Sequence, residues 1–389
     1  MLAISTNILG PLSQFSPLYP VAFMILPLSL GTVGKITRIN YAMLFLLVAC
    51  IISIFFTDTS SVFKPWQRLG YFFLLILTVS PLISSKKLDI FRMQTFQWCM
   101  KLCAFIGVIS VFFYFLNINY MSSVRTIGNS LSGTFGGITT QSMLLGPIAG
   151  ISLNWLLFQE LKSYFSKHVF SYTNLLMMCM CLCSILLSSS RGAFAATLLT
   201  AAYVIFMFSK NNLLKSSKLI FVFLLLMLAA FPLLSKFSSG LQSKQNANIE
   251  AGSTFSSREQ LWYDRIKEFK TSPIYGIGFA SQKEIPPDLM LTLQKGTIEP
   301  GTSYGAILAM TGILGSIPFL YILLTSIAKR PSALSGMQII SPPQVCLVFF
   351  GLHMIGEGYI FAAGSPLCAL FWLSVGAASA WQCKYNFQS

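Results

Sequence analysis

The sequence predicts an all-α protein: a polytopic helical membrane protein with about eleven transmembrane helices and one large extracytoplasmic loop. Of its 389 residues, 54% are hydrophobic and 10% are charged, and the mean hydropathy is +0.70. Soluble domains carry about 25% charged residues. The apolar residues fall in long runs between short polar links, and in a bilayer a single such run satisfies its backbone hydrogen bonds only as a helix.

The apolar runs divide the chain into three parts. Residues 1–235 are predicted as a transmembrane scaffold of about eight spans, residues 236–302 as an extracytoplasmic loop, and residues 303–389 as a second scaffold of about three spans. The predicted spans are 17–34, 41–57, 69–84, 97–117, 142–158, 171–188, 192–209, 217–235, 303–327, 344–363 and 366–382. No basic residue precedes Lys35, so the first run is not expected to be a cleavable signal peptide.

The distribution of basic residues predicts the orientation. One alternate set of short loops holds thirteen Lys and Arg residues and the other holds four, which places the first set in the cytoplasm. The N-terminus and the 236–302 loop are then extracytoplasmic, and the C-terminus is cytoplasmic. The formal net charge is +15, but the basic residues are scattered between apolar runs, so nucleic acid is not a predicted partner.

Composition and motifs predict no cofactor. The nine cysteines follow the apolar runs and none lies in the 236–302 loop, so no disulfide framework is expected. Cys179, Cys181 and Cys183 step by two along a predicted helix and do not share a face, which argues against a metal site. The chain has no Walker A or dinucleotide-binding glycine motif, which argues against ATP-driven pumping by this chain alone.

Arg191 is a candidate anion-binding residue. The segment 188–192 joins two apolar runs with almost no linker, so Arg191 must lie at membrane depth near the outer face. An arginine there is costly unless it snorkels to the interface, pairs with another group or binds an anion. The sequence leaves snorkelling and anion binding open.

The large loop contains a predicted helix over 256–270. Ser256 and Glu259 form a capping box at its start, and Pro273 follows its end. Arg258 and Arg265 flank an apolar stripe made of Trp262, Ile266 and Phe269. Guanidinium groups beside an aromatic anchor suit a lipid phosphate, and the alternative is an amphipathic helix with a solvated charged edge.

Two carboxylates are candidates for a general base. Glu299 precedes Pro300 at the start of the ninth predicted span, and it could equally be an exposed loop acid. Glu357 lies four residues after His353 in the predicted span 344–363, so the two are expected to share a helix face. Ionisable residues inside a membrane are functional candidates, and the alternative is a His–Glu pair that stabilises helix packing.

The order of these features resembles the O-antigen ligase and polymerase family of bacterial integral membrane glycosyltransferases. A Ser-Arg-Gly turn between two spans is followed by two more spans and a large outer loop. That loop carries Arg258 and Trp262, then Pro-x-x-Gly-x-Gly at 273–278, and leads into a span with Thr-Gly-Ile-Leu-Gly at 311–315. The resemblance covers roughly residues 130–325, and Gly133-Thr134-Phe135 and Leu145-Gly146-Pro147 resemble its earlier part.

The resemblance implies a metal-independent glycosyltransferase at the outer face of the bacterial inner membrane. The donor would be a glycan on undecaprenyl diphosphate. The acceptor would be lipid A–core in a ligase, or another carrier-linked unit in a polymerase. The positively charged residues of the family fall on Arg191, Arg258 and Arg265, which would hold the diphosphate. Membrane lipids and other polysaccharide assembly proteins are the further partners implied.

The sequence departs from the ligase pattern at one position. Ligases of this family usually place a histidine, the suspected base, just before the span that corresponds to 303–327, and here Gly301 and Thr302 occupy that place. Glu299 is the nearest substitute and Glu357 the second, and the departure favours a polymerase or a transferase with another acceptor. The other classes that fit a many-span protein are a flippase for lipid-linked sugars and a non-catalytic partner in a polysaccharide assembly complex.

Overall fold

The computed structural model covers most of the predicted membrane scaffold. It describes residues 11, 35–120, 135–167, 171–209, 259–283, 298, 301–328 and 340–386. The predicted spans 17–34 and 217–235 lie outside the described residues, as do Ser256, Arg258 and Glu299.

The described residues form ten α-helices, one short 3-10 helix and two very short strands. The helices are α1 (Tyr41–Phe55), α2 (Pro65–Val79), α3 (Lys86–Phe115), α4 (Ser142–Lys167), α5 (Tyr172–Leu187), α6 (Arg191–Ser209), α7 (Glu259–Thr271), α8 (Ser303–Ala328), α9 (Pro342–His353) and α10 (Pro366–Asn386). The 3-10 helix is Ser61–Phe63, and the antiparallel strands are β1 (Arg38–Ile39) and β2 (Ile83–Ser84). The all-α prediction is thus confirmed for the part of the chain that the structure describes.

The helices have the length and surface of membrane spans. Among the described residues, α3, α4, α6 and α8 are long and apolar enough to cross a membrane, and α1, α5 and α10 are shorter apolar helices. Large apolar side chains such as Phe45, Phe105 and Ile317 are exposed on the outside of the bundle. A lipid environment requires such an apolar exterior. The total of about eleven spans stays a prediction.

Close helix packing sets the direction of the helices around α4. Added Cβ atoms at Gly146 and Gly150 would meet side chains of α6, those of Ala193 and Thr197 respectively. Small residues at such crossings let helix backbones approach closely. Because the contacts advance together along both sequences, α4 and α6 run in parallel. Phe349 of α9 also contacts Gly150, so α9 packs on the same pair.

Helix α9 runs antiparallel to α6. Phe349 lies at the level of Thr197, whereas Val345, one turn earlier in α9, packs with Val204, which is later in α6. The first residue of α6, Arg191, and the last residue of α9, His353, therefore lie at the same end of the bundle. We call this the site end.

The other end of the bundle carries the two strands and a buried arginine. Arg38 pairs with Ser84 in the β1–β2 ladder. Arg92 is fully buried, and its guanidinium donates to the carbonyl oxygens of Thr78 (3.2 Å) and Ile83 (2.8 Å) and to Asp89 (3.2 Å). These bonds supply hydrogen-bond donors to backbone carbonyl oxygens in the last turn of α2 and in strand β2, so this guanidinium has a structural role.

The tenth predicted span, 344–363, is wrong in its second half. Helix α9 ends at His353, and residues 354–365 are not helical. The glycines at 356, 358 and 364 weaken the helix, and the backbone of this segment bonds to the start of α8 instead. His353 and Glu357 therefore do not share a helix face.

Helix α8 is broken at Gly312, and part of the large loop packs into the break. Gly312 has φ 62° and ψ −159°, about 13 Å along the axis from Ser303 at 1.5 Å per residue. The backbone N–H of Ile277 donates to the carbonyl oxygen of Ala309 (2.8 Å), and the N–H of Ile313 donates to that of Pro273 (2.9 Å). The 236–302 loop is thus not wholly in water, because its Pro-x-x-Gly-x-Gly turn supplies the hydrogen bonds that the broken helix lacks.

Candidate functional site

The loop helix α7 lies against the start of α8. An added Cβ at Gly301 would lie 2.7 Å from Cβ of Leu261, and one at Gly305 would lie 3.1 Å from Cβ of Arg265. Gly301 also has φ +69°, a conformation that glycine adopts without strain. The two glycines therefore allow α7 to approach the first turn of α8 closely.

The buried face of α7 is not the apolar stripe that the sequence suggested. Ile266 is 50% exposed, and Trp262 and Phe269 are only partly buried. The buried residues are Leu261, Asp264, Arg265 and Glu268. This arrangement is possible because Arg265 pairs with Glu268 and Gln260 donates a hydrogen bond to Asp264, which lowers the cost of burying the charges.

Arg265 and Glu268 form a buried ion pair. Nη1 of Arg265 lies 2.9 Å from Oε2 of Glu268, and each side chain is 1% exposed. Oε1 of Glu268 accepts a hydrogen bond of 2.7 Å from the backbone N–H of Lys283. The pair therefore connects α7 to the end of the segment that packs into the α8 break. Its geometry is that of a structural support, and the predicted diphosphate role of Arg265 stays a prediction.

The start of α8 is joined to the segment after α9. The hydroxyl of Thr302 donates to the carbonyl oxygen of Met354 (2.9 Å). The hydroxyl of Ser303 donates to the carbonyl oxygen of Glu357 (2.8 Å) and accepts from the N–H of Tyr359 (3.1 Å). Glu357, which is partly buried, is thereby held beside the first residue of α8, where the helix dipole is positive.

His353 is buried behind this junction. Its exposure is 2%, its ring stacks with Phe349 and Tyr359, and its Nδ1 lies 3.2 Å from the hydroxyl of Tyr359. His353 directly precedes Met354, the partner of Thr302. The loop sequence has no histidine at Gly301 and Thr302, but the packing of α9 brings His353 next to this position.

Arg191 lies at the site end as the first residue of α6 and is exposed. The turn before it contains Ser189 with φ +55°, and Ser190 packs on Gly146 of α4. The position of Arg191 is therefore set by the packing of the α5–α6 turn on α4, while its side chain reaches outward. This placement suits an anion from outside the bundle.

A further arginine at the site end, Arg68, was not selected from the sequence. It lies in the first turn of α2 and lines a cavity of about 90 Å³ together with Ala306 of α8 and the segment 358–362. The available signal was weak: Arg68 belongs to the basic residues of a predicted outer loop, three residues after Pro65. Only the tertiary contacts show that this arginine borders a cavity.

The described residues contain no group of three or more His, Cys, Asp or Glu side chains that could hold a metal ion. The eight cysteines whose side chains the structure describes are free thiols.

Comparison with protein families finds a match for part of the chain. Residues 175–320 match the family described as O-antigen ligase. Residues 175–320 are therefore similar to that family. No curated protein matches the chain. The O-antigen ligase match begins in α5 and ends in α8, so it includes Arg191, α7 and the turn at 273–278.

The match to the O-antigen ligase family and the apolar helices together fit a membrane protein of polysaccharide or lipopolysaccharide biosynthesis. The family also suggests a glycosyltransferase-like enzyme acting on lipid-linked glycans. The family resemblance expected from the sequence is confirmed, and the matched segment lies within the residues 130–325 that carried it.

Proposed function

We propose that this protein is a metal-independent glycosyltransferase that transfers or polymerises a glycan from undecaprenyl diphosphate at the outer face of the inner membrane. The observation that carries the proposal is that Arg191 lies at the same end of the bundle as the start of α8, where Glu357 and the loop helix α7 are both packed. The family match to residues 175–320 supports the reaction class.

The proposed orientation places the site end outside the cytoplasm. The strand pair that contains Arg38 lies at the opposite end, close to Lys86 and Lys87. Basic residues concentrate on the cytoplasmic side of membrane proteins, which supports a cytoplasmic location for that end. The N-terminus and the loop 236–302 are then extracytoplasmic, and the C-terminus is cytoplasmic.

The proposed role of Arg191 and Arg258 is to bind the diphosphate and to stabilise it as it leaves. Negative charge develops on the leaving oxygen, and guanidinium groups already in place lower the free energy of that transition state. Arg258 directly precedes the first residue of α7, and Arg191 begins α6. Arg265 is the third candidate for this role, although its contact with Glu268 makes it better suited to holding α7 in position.

The proposed base is a carboxylate, Glu299 or Glu357. The acceptor hydroxyl oxygen attacks the anomeric carbon, the bond from that carbon to the diphosphate oxygen breaks, and the hydroxyl proton passes to the carboxylate. The transfer inverts the anomeric configuration, and the diphosphate leaves on its carrier. Glu357 is held by Ser303 at the start of α8, which supports its candidacy.

The lack of a histidine in the outer loop favours a polymerase, with a carrier-linked glycan as acceptor, over a ligase. The alternatives are a flippase for lipid-linked sugars and a non-catalytic partner in an assembly complex. A flippase has little use for a large outer segment built into a membrane helix, and an inverted repeat of spans would be expected in a transporter.

Incubation of the purified protein with carrier-linked repeat units separates these classes. Longer or transferred glycans, detected by gel electrophoresis and mass spectrometry, are expected for the glycosyltransferase. Unchanged glycans in the presence of both donor and acceptor would refute it and leave the transporter and the structural partner.

A further inference from the structure

A small cavity at the site end lies beside the segment that follows Glu357. Its volume is about 90 Å³, and its lining includes Arg68, Ala306, Tyr359 and Ile298. Arg68 is the charged residue of this lining, and the other lining side chains are apolar or small apart from the phenol of Tyr359. The size is comparable to a single small group, such as a phosphate or a carboxylate, with a water molecule.

The walls of the cavity are fixed by the contacts that organise the site end. Ser303 bonds to Glu357 and Tyr359 and so holds the segment 358–362 that forms one wall. Phe361 packs in edge contact with Phe72 of α2 (5.3 Å) and with Phe279 (5.0 Å). The cavity is therefore bounded by elements packed on one another and is present before any ligand binds.

Both candidate bases adjoin the lining in sequence. Gly358 lines the cavity and follows Glu357, and Ile298 lines it and precedes Glu299. The lining thus includes a chain neighbour of each candidate base.

Arg68 has the chemistry to bind such a group. A guanidinium carries five N–H donors in a fixed fork that matches two oxygens of a phosphate or carboxylate. In an apolar lining, where water is scarce, the attraction between such charges is stronger than on an open surface.

We propose that Arg68 and this cavity form an oxyanion subsite for the lipid-linked glycan, in addition to the roles proposed for Arg191 and Arg258. The inference rests on the proposed function and adds a binding residue to it. The oxyanion is either a phosphate of the carrier or a carboxylate of an acidic sugar.

The test compares Arg68→Gln with the matched control Lys64→Gln. Lys64 is an exposed basic residue one turn earlier, at the N-cap of the same helix, and it does not line the cavity. Binding of undecaprenyl diphosphate and of the native carrier-linked glycan would be measured with the purified full-length protein in detergent, with undecaprenol as the neutral reference. Arg68→Lys, which keeps the charge but not the fork, provides a second variant that is expected to fold and to bind with intermediate affinity.

The expected result is at least a roughly tenfold weaker affinity in Arg68→Gln and an unchanged affinity in Lys64→Gln. Weaker binding of undecaprenyl diphosphate identifies the carrier phosphate as the oxyanion. Unchanged binding of that lipid with weaker binding of the native glycan identifies a sugar carboxylate. Wild-type affinity for both ligands in Arg68→Gln and Arg68→Lys would overturn the subsite alone. Failure of the wild-type protein to bind either ligand above undecaprenol would overturn the proposed function as well.

Discussion

The backbone N–H of Ile277 donates a 2.8 Å hydrogen bond to the carbonyl oxygen of Ala309, and this bond joins the outer loop to the break in α8. Ala309 would bond to the N–H of Ile313 in an unbroken helix. That N–H donates to Pro273 instead, so the loop replaces both halves of the missing helical bond. The loop helix α7 is therefore anchored to a membrane helix at depth.

Substitution of Gly276 or Gly312 by alanine is expected to weaken the contact between the 273–278 turn and the break in α8. Both residues have positive φ, and an added Cβ at Gly276 would overlap the backbone of Met310. The expected loss of unfolding free energy is about 2 kcal/mol or more, with reduced glycan transfer. Thermal unfolding in detergent measures the first effect. Gly70→Ala, in α2 with open space around it, is the control and should leave the midpoint unchanged or slightly raised. Equal stability of all three variants would show that this contact does not require glycine at positions 276 and 312.

The buried pair of Arg265 and Glu268 predicts a stability effect that an exposed ligand-binding arginine would not show. Arg265→Met leaves a buried carboxylate without its cation, and the expected cost is about 3–5 kcal/mol. Adding Glu268→Gln should recover part of this loss, because the amide oxygen can still accept from Lys283. The measurement is the thermal midpoint of the single and double variants. A stable but inactive Arg265→Met would instead assign Arg265 to the diphosphate.

Arg191→Ala and Arg258→Ala are expected to abolish glycan extension while membrane insertion and folding persist. Arg191 is exposed at the end of α6, so its removal should change stability by less than about 0.5 kcal/mol. Product length on gels reports the activity, and protein level in membranes reports the insertion. Lys87→Ala, an exposed charge at the opposite end, serves as the comparison. Normal product length in both arginine variants would contradict the diphosphate assignment.

Glu299→Gln and Glu357→Gln separate the two candidate bases. The carboxamide keeps the size of the side chain but cannot take up the acceptor proton, so the variant at the true base should lose about 100-fold or more in transfer rate. Binding of the lipid-linked donor should persist in that variant. Near-normal rates in both variants would exclude a carboxylate base at these positions.

Ser303→Ala tests whether the position of Glu357 matters. Its hydroxyl makes two hydrogen bonds to the segment after α9, and their loss should cost about 1–3 kcal/mol and slow transfer. Thr325→Ala is the matched control, since that hydroxyl bonds only within α8. If the Ser303 variant transfers glycan at the wild-type rate, the placement of Glu357 by Ser303 is not required for catalysis.

Much of the fold could be predicted because a membrane helix is recognisable from its own run of apolar residues, without knowledge of its neighbours. The apolar runs at 41–57, 142–158, 171–188 and 303–327 all correspond to helices in the structure. The tight turn at 273–278 could also be predicted from its proline and glycines. The end of α9 at His353 could not, because the apolar run continues past it and hydrophobicity alone does not distinguish a helix from buried irregular backbone.

The candidate site was predictable only in part. Arg191 stood out because an arginine between two apolar runs is costly wherever it lies. Arg68 did not, because its neighbours in the cavity come from segments that are distant in sequence. Arg265 was predicted to be available to a ligand, and its contact with Glu268 depends on which face of α7 packs on α8.

The sequence by itself determined that this protein is a helical membrane protein with one long polar loop and a family resemblance over roughly residues 130–325. The hydropathy of a run and the number of basic residues in a loop are sums over neighbouring residues, so both can be calculated without knowing the fold. Tertiary structure alone decided that the loop packs into a broken helix, that Glu357 lies beside Ser303 and that Arg68 borders a cavity. Those relationships depend on which backbone groups lack a partner within their own helix, and only the packed chain supplies the partners.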